Sequence, residues 1–196
     1  MWWPVTRIVS GFAGSLALSV PRSGTRPTSD RVREAMFSSL EARDALRGAN
    51  VLDLYAGSGA LGLEAASRGA ASVVFVERNA AAARVCTANT SVITKAAPRS
   101  RAPRLDVVVA SAHSYLTREL SPDHLFDVAF LDPPYDLDEA QLATELIALV
   151  PLLADGAVVI VERSTRSPEP TWPSKLVLER AKTYGETAVW TASASS

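Results

Sequence analysis

The chain of 196 residues has few of the residues that build disulfides and metal centres. It contains one cysteine, Cys86, and two histidines, His113 and His124. A single cysteine excludes an internal disulfide and a cysteine-rich zinc site, and the two histidines lack the spacing of metal ligands. We therefore expect no metal and a cytoplasmic protein.

Long apolar runs and a strong net charge are also missing. No apolar stretch approaches the ~18 residues that cross a bilayer, so we expect no contact with a membrane. Residues 16–20 are too few for the core of a signal peptide. The formal charge of −1 argues against general binding to polyanions. With 47% hydrophobic residues, the chain can bury one ordinary globular core.

Basic residues concentrate near the start of the chain. Residues 1–33 hold a single acid, Asp30, and five arginines, which are Arg7, Arg22, Arg26, Arg31 and Arg33. Such a patch is suited to contacts with phosphates. A second basic stretch, residues 95–104, is interrupted by prolines, and we interpret it as a solvated loop.

Helical and strand patterns alternate from residue 28 onward. Apolar runs predict strands at residues 51–55, 72–77, 105–110, 126–131 and 157–162, with helices before, between and after them. Two further strands, 176–179 and 186–191, have no helix between them. The order predicts a Rossmann-like α/β fold with a seven-stranded, mostly parallel sheet. The terminal strand pair must be antiparallel, because parallel neighbours need a long crossover.

Residues 1–27 do not share this alternation. They combine glycines and prolines with short β-like runs. We predict a small β-hairpin arm outside the main sheet, followed by a single domain over residues 28–196.

A glycine-rich turn follows the first predicted strand of the sheet. Gly57, Gly59 and Gly62 have the spacing G-x-G-x-x-G between that strand and a helix. Glycines there let a ligand reach the backbone, and a helix N-terminus offers free N–H groups. Glu77 ends the next strand, where its carboxylate can accept hydrogen bonds from both ribose hydroxyls. The turn predicts a site for an adenosine-containing ligand, either NAD or S-adenosylmethionine.

Asp53 favours the second of these ligands. It lies four residues before the first glycine of the turn, close to the predicted helix start. A carboxylate there would repel a pyrophosphate and oppose the helix dipole. It can instead pair with the α-ammonium of a methionine group.

The tetrapeptide Asp132-Pro133-Pro134-Tyr135 ends the strand at residues 126–131. Open α/β sheets bind ligands at the carboxyl ends of their strands. The carboxylate and the backbone carbonyls can accept hydrogen bonds from an NH2 group, and the prolines add no competing N–H. The tyrosine ring can stack on a flat substrate. The motif predicts a grip on a planar amine.

Together, the two sites predict a methyltransferase that acts on a conjugated amino group. The acceptor remains open at this point, since adenine N6 in nucleic acid or a protein glutamine also presents a planar NH2. An NAD-dependent oxidoreductase would need a proton-transfer residue that the motifs do not supply. A non-catalytic RNA-binding factor would leave the Asp132 motif without a purpose.

Four segments resemble the RsmD family of bacterial 16S rRNA guanine-N2 methyltransferases: residues 26–34, 52–68, 132–135 and 161–163. The similarity extends over nearly the whole chain. It implies a class I S-adenosylmethionine-dependent methyltransferase that modifies one guanine amine in the small ribosomal subunit, releases S-adenosylhomocysteine and is a monomer.

The resemblance also assigns roles to individual residues. The guanine would be held by the catalytic loop, Asp132, Pro133, Pro134 and Tyr135. The cofactor would be held by Thr28, Arg31, Asp53, Tyr55, Ala56, Gly57, Ser58, Gly59, Glu77, Arg78, Ser111 and Ala112. The arm would contact RNA through Arg7, Arg22, Arg26 and Arg33.

The chain departs from the family pattern in three places. Residues 9–17 of the arm carry no basic side chain, and Ser10 replaces a glycine. Ser111 stands where related enzymes place an acid near the adenine, so backbone groups of Ser111 and Ala112 are expected to recognise it. Residues 1–4 precede a family-like start at Val5, and we expect them to be an upstream extension that is absent from the native protein.

Overall fold

Helices and strands alternate in the computed structural model, which describes residues 6–21, 30–118 and 125–195. The strands are β1 (Thr6–Arg7), β2 (Ala17–Leu18), β3 (Asn50–Leu54), β4 (Ser72–Glu77), β5 (Arg104–Val109), β6 (Phe126–Leu131), β7 (Leu153–Ser164), β8 (Leu176–Tyr184) and β9 (Thr187–Ala194). The helices are α1 (Asp30–Ala42), α2 (Ala60–Ser67), α3 (Ala80–Ala96), α4 (Ala112–Leu116) and α5 (Glu139–Leu149).

Seven strands form one twisted sheet in the order β5-β4-β3-β6-β7-β9-β8. The first five strands of this order are parallel, whereas β9 is antiparallel to both β7 and β8. The predicted fold class, including the antiparallel terminal pair, is confirmed. Parallel strands aligned in this way bring their carboxyl ends to one edge of the sheet, where a ligand site is expected.

Helices cover both faces of the sheet. On one face, α1, α2 and α3 pack over an apolar core that includes Phe37, Phe75 and Phe130. On the other face, α4 and α5 pack over a second core that includes Leu54, Leu131 and Leu146. Strands β3 and β6 contribute to both cores, because successive side chains of a strand point to opposite faces. The central strands are therefore fixed from both sides.

Some elements extend beyond their predicted ends. Strand β7 begins at Leu153 rather than at residue 157, because Leu153 pairs with Phe126 across a register shift. Strand β8 continues to Tyr184 through exposed, charged residues. Polar side chains are tolerated there because β8 lies at the edge of the sheet and one of its faces meets solvent.

The predicted hairpin arm is present as a two-stranded sheet of β1 and β2, outside the main sheet. Its apolar residues Ile8, Ala13 and Leu18 are buried in the core beneath α1, α2 and α3. The division into residues 1–27 and 28–196 stays a prediction, and residues 1–4, the expected extension, lie outside the described residues.

Residues 9–13 of the hairpin, which include no basic side chain, contact α2 through their backbone. Glu64, which is 0% exposed, accepts hydrogen bonds from the backbone N–H groups of Val9 at 2.7 Å and Ser10 at 3.0 Å. Gly11 has a φ of +83°, and a Cβ there would overlap the backbone of Ser67. The backbone of residues 9–13 is therefore held against α2, while Ser15 and Ala17 are exposed to solvent.

Arg33 corrects one prediction. Its side chain is 0% exposed, so the expected contact between Arg33 and RNA is wrong. The guanidinium donates to the hydroxyl of Thr6 at 3.1 Å, to the carbonyl of Arg7 at 2.8 Å and to Asp30 Oδ1 at 2.6 Å. Arg33 therefore fastens the hairpin to α1.

Within residues 6–21, 30–118 and 125–195, no helix has the length and apolar character to cross a membrane. The same residues contain no group of three or more acidic, cysteine or histidine side chains placed to hold a metal ion.

Candidate active site

The predicted cofactor and substrate motifs meet at one edge of the sheet. Strand β3 lies between β4 and β6, and Leu54 is in register with Val76 on one side and with Leu131 on the other. The residues that follow these strands are therefore neighbours, at spacings of about 4.8 Å. Strand β5 adds Ser111 and Ala112 beyond β4. The fold thus assembles four predicted segments into one site.

The glycine-rich turn leaves β3 through a left-handed residue. Tyr55 has a φ of 63°, which is uncommon for a residue with a side chain. Its hydroxyl donates a short hydrogen bond to Glu145 on α5. Burial, and then this hydrogen bond, raise the pKa of the Tyr55 phenol. The side chain of Tyr55 therefore anchors the turn to α5, while its backbone bends toward the ligand edge.

Asp53 lies beneath the turn and is only 2% exposed. Its Oδ2 accepts a hydrogen bond from the backbone N–H of Gly62 at 2.8 Å. Burial raises the pKa of Asp53 to about 7, and the nearby charges of Asp132 and Glu77 raise it further, against the effect of the Gly62 hydrogen bond. The charges of Asp132 and Glu77 thus reach the buried Asp53, and this concentration of negative charge suits a cation and disfavours a pyrophosphate.

Gly62 serves packing. A Cβ on Gly62 would overlap the ring of Phe75 and approach Val73 and the carboxylate of Asp53. The third glycine of the turn thus lets α2 lie directly on β4. The open space lies earlier in the turn. A Cβ on Gly57 would meet only one backbone oxygen, at 3.9 Å, so a ligand can approach the turn on that side.

Glu77 closes the other side of the turn. Its Oε2 accepts from the backbone N–H of Gly57 at 2.9 Å, and its Oε1 accepts from that of Asn79 at 2.7 Å. The side chain is half-buried, and the adjacent Arg78 is exposed. The Glu77 carboxylate is thus held beside the glycine turn, at the position from which it can also accept from ribose hydroxyls.

Asp132 to Tyr135 form the loop that leaves β6 on the other side of the turn. Asp132 is half-buried, Pro133 is buried, and Tyr135 is 67% exposed. The Pro134 carbonyl accepts from the N–H of Leu137 at 3.0 Å, which closes the loop before α5 begins. An exposed aromatic ring beside a half-buried carboxylate can stack on a planar group while the carboxylate contacts its edge.

A buried arginine supports this loop from below. Arg163 at the end of β7 is 3% exposed, and it donates to the carbonyl of Leu137 at 2.7 Å and pairs with Glu139 at 3.0 Å. On α5, the buried Glu145 accepts from Tyr55 and from Gln141, at 3.2 Å for the latter. Glu145 connects the glycine turn to α5, the helix that follows the loop at residues 132–135.

These supporting residues were not predicted as site residues. A signal for Glu145 exists in the sequence, because it occupies the apolar stripe of Leu142, Leu146 and Leu149 on α5. An acid on such a stripe is buried and needs partners. Arg163 lies in residues 161–163, one of the segments that resemble the family, but its role could not be read from the sequence, because its partners lie on a loop and a helix that only the fold brings near.

Other predicted residues lie at or beyond the margin of the site. Ser111 caps the short helix α4 by accepting from the N–H of Ser114 at 3.1 Å, and Ala112 is buried behind it. Arg31 is exposed in the first turn of α1. The exposed Arg7 pairs with Asp30 at 3.3 Å. Thr28, Arg22 and Arg26 lie outside the described residues.

Comparison with known proteins agrees with this architecture. The family described as "Conserved hypothetical protein 95" matches residues 6–193. The chain is 35% identical over 183 residues to the ribosomal RNA small subunit methyltransferase D of Escherichia coli K12, with 93% of this chain and 86% of that protein aligned. It is 34% identical to the putative rRNA methyltransferase YlbH of Bacillus subtilis 168, covering 93% and 96% of the two chains.

A solved structure supports the same relationship. The putative methyltransferase yhhF from Escherichia coli superimposes with a TM-score of 0.82 at 31% identity, covering 98% of this chain and 99% of that chain. The similarity therefore includes both the glycine-rich turn and the loop after β6, at the same edge of a shared sheet. The chain belongs to the RsmD family of methyltransferases.

Proposed function

We propose that the protein transfers a methyl group from S-adenosylmethionine to the exocyclic N2 amine of a guanine in 16S rRNA of the small ribosomal subunit. The observation that carries this proposal is the position of the Asp132-Pro133-Pro134-Tyr135 loop directly beside the glycine-rich turn after β3. The names of the similar proteins from Escherichia coli and Haemophilus influenzae, which are small-subunit rRNA methyltransferases, support RNA as the substrate.

The residues at the turn fit S-adenosylmethionine. The charges of Glu77 and Asp132 are close enough to act on the buried carboxyl group of Asp53, and the ligand carries an ammonium and a sulfonium. Glu77 is positioned for ribose hydroxyls, and the space beside the Cα of Gly57 is open, since a Cβ there would meet only one atom within 4 Å. When bound, the ligand supplies an electrophilic methyl group. The same carboxylates favour S-adenosylmethionine over NAD, because they would repel the pyrophosphate of NAD.

The loop at residues 132–135 would promote the reaction by orienting the guanine amine and by stabilising the charge that develops on its nitrogen. The N2 lone pair is delocalised into the ring, so the amine is a weak nucleophile. Hydrogen bonds from the NH2 group to the Asp132 carboxylate and the Pro133 carbonyl would localise the lone pair and stabilise the positive charge that develops on nitrogen. The exposed ring of Tyr135 would hold the base against the loop, which requires the base to leave its stack.

An Asp132→Ala variant tests this assignment. We expect methyl transfer to fall at least ~100-fold, the scale for loss of an electrostatic group at the reacting atom. S-adenosylmethionine should still bind, because Asp53, Glu77 and the glycine turn are unchanged, although the loss of one nearby negative charge can weaken the binding. The matched control is Asp136→Ala, which removes an exposed carboxylate four residues along the same loop. The measurement is transfer of labelled methyl groups to small subunits from a strain that lacks the enzyme.

Mapping the label distinguishes the acceptors. Label on guanine N2 of 16S rRNA supports the proposal. Label on adenine N6 or on a ribosomal protein would show that the proposed acceptor is wrong. If Asp132→Ala retains near-normal turnover, or if Asp136→Ala loses activity equally, the assignment of Asp132 is wrong.

A further inference from the structure

A groove runs between α1 and the antiparallel end of the sheet. Its walls are α1 and the strands β8 and β9, and its floor is apolar and includes Met36, Leu40 and Val189. None of the residues that line it belongs to the proposed active site.

All three charged residues that line the groove are basic: Arg43, Arg180 and Lys182. Arg43 is paired with Glu179 at 2.8 Å. Arg180 and Lys182 are exposed, and neither forms an ion pair with the residues that the structure describes. In a chain whose formal charge is −1, two exposed cations without acidic partners in one groove attract an anionic partner.

The groove leads to the edge of the sheet that carries the proposed active site. Tyr184 lines its upper end and is in register with Thr187, which pairs with Ser164 at the end of β7. Three strand spacings separate β8 from β6, a distance of roughly 14 Å. A strand of nucleic acid whose base reaches the Asp132 loop can therefore continue across Tyr184 into the groove.

The side chains in the groove are arranged along a line. Arg180, Lys182 and Tyr184 are alternate residues of one strand and face the same side, at intervals of about 7 Å. Two cations in a row fit successive phosphates better than one compact anion. Tyr184 is half-buried against the core, so its ring is held in place and can stack on a base.

The amino-terminal region has few exposed basic side chains that could contact RNA phosphates, as far as its described residues show. Arg33 is buried under the hairpin, and Arg7 is paired with Asp30. Residues 9–17 contain no basic side chain, and the backbone of residues 9–13 contacts α2. The exposed arginines of this region within the described residues are Arg7 and Arg31, and other surfaces can supply further phosphate contacts.

We propose that this groove binds the backbone of single-stranded RNA next to the target nucleotide, with Arg180 and Lys182 at phosphates and Tyr184 stacked on a base. The inference rests on the proposed function in that RNA is the substrate. It adds a second contact surface on the opposite side of α1 from the hairpin.

The test compares two double variants of the full chain. Arg180→Gln/Lys182→Gln removes the groove charges, and Arg99→Gln/Arg101→Gln removes two exposed arginines near the β5 edge of the sheet. The probe is unmodified 16S rRNA transcript, titrated at several salt concentrations. We expect the groove variant to bind roughly tenfold more weakly and its salt slope to fall by about 1.4, the value for two phosphates on a single strand. The control variant should retain the wild-type slope.

A third variant separates stacking from charge. Tyr184→Leu should weaken binding about fivefold or more and leave the salt slope unchanged. Unfolding midpoints of the two charge variants should match that of the wild type, since their changed side chains are exposed. Tyr184→Leu removes a half-buried ring that packs against the core, so its midpoint is expected to fall and its binding is measured well below that temperature.

Methyl transfer by the wild type to small subunits is measured in parallel. If the wild type methylates guanine but the groove variant binds like the wild type, or no more weakly than the control, the groove proposal is wrong and the proposed function stands. If the wild type methylates no guanine but the groove variant still loses RNA affinity, the proposed function fails and the groove remains an RNA-binding surface.

Discussion

The ionisation of Asp53 is linked to folding because the carboxyl group is buried beneath the glycine turn. Its pKa is raised from 3.8 to about 7, first of all by burial. Below about pH 4, Asp53 is protonated in the folded and unfolded chains alike, and it imposes no penalty. As the pH rises from about 4 to about 7, the unfolded chain loses the proton first, so the folded state loses stability. Above about pH 7 the penalty is fully present, at about 4 kcal/mol.

An Asp53→Asn variant tests this linkage. An amide keeps an oxygen for the Gly62 N–H but does not ionise. We expect the ligand-free variant to be more stable than the wild type by a few kcal/mol at about pH 8, and the difference to vanish near pH 4. Urea unfolding at several pH values measures this. A difference that does not change with pH would show that Asp53 is not the group responsible.

The same substitution should weaken binding of S-adenosylmethionine. In the proposed complex, the ammonium of the ligand would lower the pKa of Asp53, so that binding near pH 7 releases a proton. Asp53 would then destabilise the ligand-free protein, and the ligand would relieve this destabilisation. Such a loss of stability in favour of binding is typical of functional sites. Calorimetry in two buffers of different ionisation enthalpy measures the released proton directly.

At the scale of elements, ion pairs attach the hairpin and α1 to α2. Arg68, which directly follows α2, contacts Glu64, Glu41 and Glu34, and its guanidinium lies 5.2 Å from the ring centroid of Phe37. Glu64 in turn holds the hairpin backbone. The hairpin is therefore held by buried polar contacts in addition to its three apolar residues, and changes in α2 are expected to affect it.

Arg33→Met is expected to destabilise the protein by about 2–3 kcal/mol, because it leaves the Thr6 hydroxyl and the Arg7 carbonyl without their donor. The value is below that for a fully buried pair, since Asp30 is about half exposed. The matched control is Arg31→Met, which changes an exposed arginine of the same helix and should have little effect. The measurement is the free energy of unfolding in urea. Equal stabilities of the two variants would contradict the structural role of Arg33.

The position of Arg33 shows how a helical pattern can mislead. Arg33 shares a stripe with Met36, Phe37 and Leu40, at the spacing of one helical face, and all four are buried. The basic character of residues 1–33 led to the prediction that it contacts RNA. Its place on an apolar stripe was the better guide, because a charge on such a stripe must find partners inside the protein.

At the scale of the whole molecule, the sheet has two edges that can pair with another chain. Strand β5 carries Arg104 and Asp106, which pair with each other at 2.7 Å. Strand β8 carries Arg180 and Lys182 and has an irregularity between Leu178 and Arg180. Charges and irregular register both oppose pairing between sheet edges.

We therefore expect a monomer at micromolar concentrations. Sedimentation velocity over a hundredfold range of concentration checks this, with Arg180→Gln/Lys182→Gln as a probe of the β8 edge. A dimer that strengthens with concentration in the wild type would contradict the expectation. A dimer in the variant alone would show that the two charges protect this edge.

Much of the fold followed from the sequence, because its signals are local. Apolar runs of five or six residues between helical patterns predicted β3, β4, β5 and β6, and the missing helix between the last two strands required the antiparallel pair. The ends of β7 and β8 were less predictable, because they depend on which neighbouring strand is available for pairing.

The sequence by itself determined the alternating fold and the two motifs at the carboxyl ends of β3 and β6, since both depend on residue type and spacing along the chain. Only the tertiary structure decided which charges are accessible. It buried Arg33 under the hairpin, placed Asp53 beneath the turn, set Arg163 under the catalytic loop, and brought Arg180 and Lys182 to a groove beside α1. Burial and ion pairing depend on contacts between distant segments, and these contacts do not exist until the sheet is assembled.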